Sequence, residues 1–172
     1  MFREVSRDKR QILSKEKCEE ILKSTDVGVL SVSGDDDYPY GVPINFAYED
    51  GKVYFHGMPS GHKYDAMMRH DKVSLTVVGE AVVIADEYTS YFRSVVLFGK
   101  ARFVEDYDEK LKIVDLLVDK YCADYKEGVH EQFAERIAWM GAFEIDVEHM
   151  SGKECIEWAA PDDDPFGASP AE

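Results

Sequence analysis

Apolar and polar residues alternate along several stretches of the chain with the two-residue period of a half-buried β-strand. These stretches predict six strands, at 27–33, 38–48, 52–57, 72–78, 91–105 and 143–147. Apolar residues spaced three and four positions apart predict helices at 15–23, 62–70, 108–125 and 131–140, with Ser14 as the N-cap of the first. Because short turns connect consecutive strands and few helices lie between them, the pattern favours an antiparallel barrel or highly curved sheet.

The composition is that of an ordinary globular protein. The chain has 172 residues, of which 45% are hydrophobic, and this predicts a single domain at 1–160. Residues 161–172 hold three consecutive aspartates and little apolar surface, so we expect a disordered acidic tail. No apolar run approaches the 20 residues of a membrane-spanning helix.

The net charge and the cysteines exclude several classes of partner and site. A net charge of −15 disfavours binding to nucleic acid or to an anionic membrane surface. The three cysteines are widely spaced and form no Cys-x-x-Cys pair, so we expect no metal site and reduced thiols in the cytoplasm. Cys18, Cys122 and Trp139 fall on apolar helix positions, where core packing is expected, and His56 is expected to be an interior histidine.

The segment 43–65 carries the candidate chemistry. It contains a predicted strand, a turn at 49–51, and a second strand that ends at His56-Gly57. The loop Ser60-Gly61-His62-Lys63 then enters a helix. The first N–H groups of a helix have no partner within it, and together with the helix dipole and a lysine they attract anions. A phosphate site beside two strands with polar and aromatic side chains indicates a flat, phosphorylated cofactor.

Five motifs between residues 3 and 153 resemble a known family. They are Gly28-Val29-Leu30-Ser31, Tyr40-Gly41-Val42-Pro43-Ile44-Asn45-Phe46, Val53-Tyr54-Phe55-His56-Gly57, Gly61-His62-Lys63-Tyr64-Asp65 and Tyr91-Phe92-Arg93-Ser94-Val95-Val96-Leu97-Phe98-Gly99. Their order and spacing resemble the pyridoxamine 5'-phosphate oxidase-like flavin-binding split barrels, and most of all the nitroimidazole-resistance (Nim-type) branch. The Arg-x-Val-Leu-Leu-Lys motif of the oxidase proper is missing, which argues against oxidation of pyridoxamine phosphate.

The resemblance implies a mainly β fold with flanking helices, namely a six-stranded antiparallel split β-barrel. It also implies a homodimer with FMN bound in each of two clefts at the subunit interface. Lys63 would hold the phosphate, and His62 would lie beside the flavin in the substrate cleft as the catalytic residue. The full set of implied cofactor-binding residues is Pro43, Ile44, Asn45, His56, Gly57, Ser60, Gly61, Lys63, Ser94 and Val95.

Two functions remain open at this point. The first is an FMN-dependent oxidoreductase that reduces small electron-poor molecules such as nitroaromatics, with His62 as proton donor or substrate contact. The second is a non-enzymatic FMN- or haem-binding protein for sensing, storage or electron transfer, in which His56, His62 or His149 would be the axial ligand. Lys63 could equally be a surface cation, and His62 an ordinary loop residue.

Overall fold

The computed structural model of the chain describes residues 2–159. Its strands are β1 (Val27–Ser33), β2 (Pro39–Asn45), β3 (Ala47–Glu49), β4 (Lys52–Gly57), β5 (Lys72–Ile84), β6 (Thr89–Val104) and β7 (Gly141–Glu154). Its α-helices are α1 (Lys15–Ser24), α2 (His62–Arg69), α3 (Tyr107–Tyr121) and α4 (Val129–Trp139). The predicted acidic tail at 161–172 lies outside the described residues.

The strands form one antiparallel sheet in the order β2-β1-β5-β6-β7-β4-β3. The described residues hold seven strands where six were predicted, because the predicted strand at 38–48 breaks at Phe46. The Phe46 N–H donates to Tyr121 Oη at 3.0 Å, and its carbonyl accepts from Lys120 Nζ at 2.9 Å. These backbone groups are therefore not available to a strand ladder. β2 and β3 consequently become the two edges of the sheet, which is mainly antiparallel β structure and not closed.

Lys120 joins α3 to this break. Its ammonium donates to the carbonyl oxygens of Leu22, Thr25 and Phe46 at 3.1, 2.7 and 2.9 Å. The same nitrogen lies 4.2 Å from the centroid of the Phe46 ring. One side chain thus satisfies two carbonyls at the end of α1 and fixes the backbone where β2 gives way to β3.

The sheet encloses the main core. Its largest fully buried side chains are Leu22, Leu30, Phe46, Val53, Phe55, Met67, Leu75, Val77, Val95, Leu97, Phe143 and Ile145. A smaller cluster under α3 includes Val104, Ile113, Leu117 and Ala142. The inward residues of each strand therefore match the alternation seen in the sequence.

The helix boundaries agree well with the prediction, and two strands are longer than predicted. α1 begins after Ser14, whose hydroxyl accepts from the Lys17 N–H at 3.3 Å. β5 continues to Ile84 beyond the predicted end at 78, because the register shift between Val78 and Glu80 is a bulge within the strand. β7 likewise runs on to Glu154.

Two of the expected core residues are on the surface. Cys122 is exposed, because α3 ends at Tyr121 and the chain leaves the helix there. Trp139 is 61% exposed at the last position of α4. Cys18 is buried as expected, and burial raises the pKa of its thiol to about 11, so it is protonated at neutral pH. Among the described helices, none is long and apolar enough to cross a bilayer.

Candidate functional site

The start of α2 offers three unpaired backbone donors. Gly61 precedes the helix with φ of +97°, a conformation that favours glycine, and no side chain caps the helix there. The first backbone bond of the helix runs from the Asp65 N–H to the Gly61 carbonyl at 2.9 Å. Within residues 2–159 nothing accepts from the N–H groups of His62, Lys63 and Tyr64, so they are available to an anion.

Lys63 places a positive charge beside these donors. Its ammonium lies 5.4 Å from the centroid of the Phe55 ring and close against Gly57, since a Cβ on Gly57 would be 3.0 Å from Nζ. The side chain is half-buried, and burial lowers its pKa from the usual 10.5. No carboxylate in the described part of the chain lies within 4.0 Å of this ammonium, which is unfavourable for a desolvated cation.

His56 and Gly57 end β4 next to Lys63. They pair with Ala142 and Gly141 of β7, so the predicted strand and its end are correct. His56 is exposed, and the expectation of an interior histidine is wrong because its side chain points to the outer face of β4. Protein atoms around the ring, and then the Lys63 charge, lower the pKa of His56. His56 is therefore neutral at physiological pH and can accept or donate one hydrogen bond.

His62 packs against the turn between β1 and β2. Its ring stacks on Tyr40 with a centroid distance of 4.1 Å and an interplanar angle of 18°. Nε2 accepts a hydrogen bond from the Asp35 backbone N–H at 3.4 Å and lies 3.7 Å from Asp35 Oδ2. Arg69 at the other end of α2 donates to Asp35 Oδ1 at 2.7 Å. His62 thus has a defined orientation beside the start of α2.

The predicted β2 residues divide between the core and the surface. Ile44 is buried, so only its backbone can contact a cofactor. Pro43 and Asn45 lie on the exposed side of the strand. Asn45 is held by a hydrogen bond from Nδ2 to the Asp26 carbonyl at 3.1 Å.

Ser94 and Val95 lie apart from the other predicted residues. They belong to β6, and β1 and β5 separate that strand from β2. At 4.7–4.9 Å per strand, the distance from β2 is about 14 Å. Val95 is fully buried, whereas Ser94 is half-buried and pairs with Val78 and Lys153. One chain therefore carries two separate groups of predicted site residues.

Sequence reasoning missed Asp35 and Arg69. Asp35 contacts His62 and Arg69 across 27 and 34 positions of sequence, a separation at which no local pattern reveals a contact. Tyr40 was part of a recognised motif, but its stacking on His62 was not foreseen. Three cavities of about 430, 490 and 390 Å³ lie elsewhere, and none of the three is lined by Lys63, His62 or Pro43.

Comparison with known proteins identifies similar chains. The sequence model of a family described as pyridoxamine 5'-phosphate oxidase matches residues 14–154. An uncharacterized protein from Rhizobium meliloti is 33% identical over 92 residues, which are 52% of this chain and 54% of that protein. The chain therefore matches about half the length of this curated relative.

Three solved structures have a similar fold. A candidate 5-nitroimidazole antibiotic resistance protein from Bacteroides thetaiotaomicron is 25% identical with a TM-score of 0.71, covering 83% of this chain and 86% of that one. An FAD-binding protein from Mesorhizobium loti is 27% identical with a TM-score of 0.63, covering 84% and 97%. An FAD- and haem-binding protein from Mycobacterium smegmatis is 19% identical with a TM-score of 0.71, covering 89% and 77%.

Proposed function

Since the chain belongs to the pyridoxamine 5'-phosphate oxidase-like family, we propose that it is an FMN-dependent oxidoreductase that reduces small electron-poor molecules such as nitroaromatics and 5-nitroimidazoles. The observation that carries this proposal is the unpaired Lys63 ammonium beside three free N–H groups. The similarity to flavin-binding proteins and to the candidate nitroimidazole resistance protein supports it.

The residues at the start of α2 fit a terminal phosphate. A phosphate monoester carries nearly two negative charges and three acceptor oxygens at neutral pH. Lys63 supplies a charged donor, and the N–H groups of His62, Lys63 and Tyr64 supply neutral ones. The phosphate would relieve the cost of leaving Lys63 desolvated without a partner. We therefore assign the phosphate of FMN to this corner, with Ser60 and Gly61 around it.

The flavin ring would lie at an interface between two copies of the chain. The outer face of the sheet presents an apolar row formed by Pro43, Val29, Thr76 and Val96, which are aligned by strand register. Val29 is 42% exposed. In a two-fold dimer formed through this face, β6 of the partner can approach β2 and α2 of the first copy. That arrangement would bring Ser94 and Lys63 to one cofactor, which a single chain does not do.

Bound FMN would supply the electron transfer. The protein would supply three things: anchoring of the phosphate by Lys63, contacts to the ring from β2 and β4, and a proton donor or substrate contact at His62. His62 is next to Lys63 in sequence and is oriented by Tyr40 and Asp35. A histidine in this position can contact the substrate or donate a proton to its reduced form.

The visible spectrum of the purified protein and mass spectrometry of the released ligand test this proposal. We expect the absorption of oxidised flavin and the mass of FMN, and turnover of a nitroaromatic when a reductant is supplied. The mass of FAD would reject the assignment of FMN, and a Soret band would favour the haem-binding alternative. Bound FMN without turnover would favour a carrier or storage protein.

A further inference from the structure

The imidazole of His62 forms one side-chain hydrogen bond within residues 2–159, and this bond has an unusual donor. Nε2 lies 3.4 Å from the backbone nitrogen of Asp35. A backbone N–H can only donate, so Nε2 must carry the lone pair and act as the acceptor. The Asp35 carboxylate does not offer an alternative, because Oδ2 is 3.7 Å from Nε2, too long for a hydrogen bond.

The proton of the neutral ring must then be on Nδ1. In a neutral histidine one ring nitrogen is protonated and the other is not, and the partner of one nitrogen decides the state of both. No group in the described part of the chain pairs with Nδ1. The Nδ1–H group is therefore free to donate to a molecule bound beside α2.

We infer that Asp35 is a positioning residue, whose backbone N–H holds His62 as the Nδ1–H tautomer and thereby makes Nδ1–H the donor presented to substrate. The role of the donor rests on the proposed function, whereas the tautomer does not. The inference concerns which atom of His62 donates, and it adds the Asp35 backbone N–H to the groups on which the site depends.

The surroundings of the ring support a fixed orientation. The stack on Tyr40 restricts rotation of the ring. Gly34 has no side chain at the contact, and a Cβ there would lie 3.2 Å from Nε2 and 2.6 Å from the Tyr38 carbonyl. The Arg69 guanidinium lies 2.7 Å from Asp35 Oδ1 and so holds the Asp35 residue in place beside the ring.

Nitrogen-15 NMR of the uniformly labelled protein measures the tautomer directly. At a pH about two units above the titration midpoint of His62, we expect a pyrrole-type signal for Nδ1 and a pyridine-type signal for Nε2. His62→Gln assigns the signals by removing them. A ring in the wild-type protein that is protonated mainly at Nε2 overturns the inference, with or without bound cofactor.

Two substitutions at one position separate the N–H from the carboxylate. Asp35→Pro removes the N–H, and Gly34 before it is already extended, as the residue before a proline must be. Asp35→Asn keeps the N–H and removes the charge. We expect the Nδ1–H signal to persist in Asp35→Asn and to be replaced by a mixture of tautomers in Asp35→Pro. An unchanged tautomer in a folded Asp35→Pro protein overturns the inference.

Kinetics at equal FMN occupancy then test the role of the donor. Reoxidation of the reduced Asp35→Pro protein by a nitroaromatic should slow by up to about tenfold, the loss expected for one hydrogen bond between neutral groups. Asp35→Asn keeps the N–H, so its reoxidation rate should fall less than that of Asp35→Pro. A changed tautomer with an unchanged rate would remove Nδ1–H from the reaction and leave Asp35 with no positioning role in it. A protein that binds no flavin would reject the proposed function, while the NMR result would still decide the tautomer.

Discussion

Replacement of Lys63 by methionine is the most direct test of the phosphate site. Methionine keeps much of the length of the side chain and its packing over Phe55 but removes the ammonium. A hydrogen bond between charged groups contributes about 1.5–3 kcal/mol, so the dissociation constant of FMN should rise roughly ten- to a hundredfold. Fluorescence quenching of FMN on titration with the cofactor-free protein would measure this change. Lys63→Arg should restore much of the affinity.

The same substitution should not destabilise the cofactor-free protein. Burial lowers the pKa of Lys63, which means that the folded chain disfavours its charged form. Removal of that ammonium should leave the melting temperature equal to or above that of the wild type. A binding defect caused by misfolding would instead lower the melting temperature. The two measurements together therefore separate a lost ligand contact from a damaged fold.

The affinity for FMN should decrease as the pH rises, because binding requires the charged form of Lys63. Contact with phosphate raises the pKa of Lys63 in the complex above its value in the free protein, which lies below 10.5. FMN should therefore bind tightly at pH values below the free pKa, and its affinity should fall as the pH rises through that value. The Lys63→Met protein should lose this dependence in the alkaline range below pH 10.5.

Lys23→Met is a matched control, because Lys23 is exposed on α1 and its loss changes the net charge equally. Its FMN affinity should equal that of the wild type, and its stability should change by less than about 0.5 kcal/mol. If Lys63→Met and Lys23→Met bind FMN equally well at moderate salt, the phosphate assignment is wrong.

The exposed sheet face, His62 and Glu144 each give a further prediction. Val29→Asp should convert the proposed dimer into a folded monomer with little flavin, and a light-scattering mass equal to that of the wild type would contradict the proposed interface. His62→Gln should keep FMN but slow reoxidation of the dithionite-reduced protein in stopped-flow by about 10²-fold or less, the low end of general-acid catalysis. Equal rates with several nitroaromatics would remove His62 from the mechanism. Burial raises the pKa of Glu144, but hydrogen bonds from Arg102 and Lys52 outweigh this and lower it below 4.5. Glu144→Gln should therefore cost about 1–3 kcal/mol of unfolding free energy at pH 7, and less as the pH falls from about 5, whereas a pH-independent difference in chemical denaturation would contradict the ion pair.

Local patterns predicted most of the elements because they depend on neighbouring residues. The alternation of inward and outward side chains located the strands apart from the division of 38–48 into β2 and β3, and Ser14 marked the start of α1. A glycine inside a strand pattern is typical of a bulge, and the register between β6 and β7 shifts between Phe98 and Gly99. Each of these features is determined within a few positions of sequence.

The break at Phe46 could not be predicted from the strand itself. Its cause is Lys120 and Tyr121, more than 70 positions later, whose side chains take the backbone hydrogen bonds that would have continued the strand. The position of Lys110 on α3 likewise depends on a contact that is distant in sequence. A lysine on a helix predicts a solvated position, yet this ammonium is buried and donates to the Ala138 and Met140 carbonyls at the end of α4.

In the candidate site, too, some features follow from the local sequence and others depend on tertiary contacts. The loop before α2 predicts an anion site from its own residues, since a glycine, a lysine and a helix start are all that such a site requires. The relation of His62 to Asp35 depends on how the turn after β1 folds over α2, and that relation is a tertiary one. The distance between Ser94 and Lys63 depends on strand order, which a resemblance implies but a local pattern does not determine.

The charge of the whole chain and the charge of the site have opposite signs. A net charge of −15 repels a phosphorylated cofactor, yet the proposed site selects one. At physiological ionic strength charges are screened over about 8 Å, so distant carboxylates contribute little to binding at α2. Within that distance, binding of the phosphate depends on whether the nearby cation already forms an ion pair with a carboxylate. Most of the basic side chains that line strands in the described sheet, such as Lys52, Arg93 and Arg102, form ion pairs with carboxylates. Lys63 has no such partner among residues 2–159, and this is why one ammonium can specify an anion site in a strongly acidic protein.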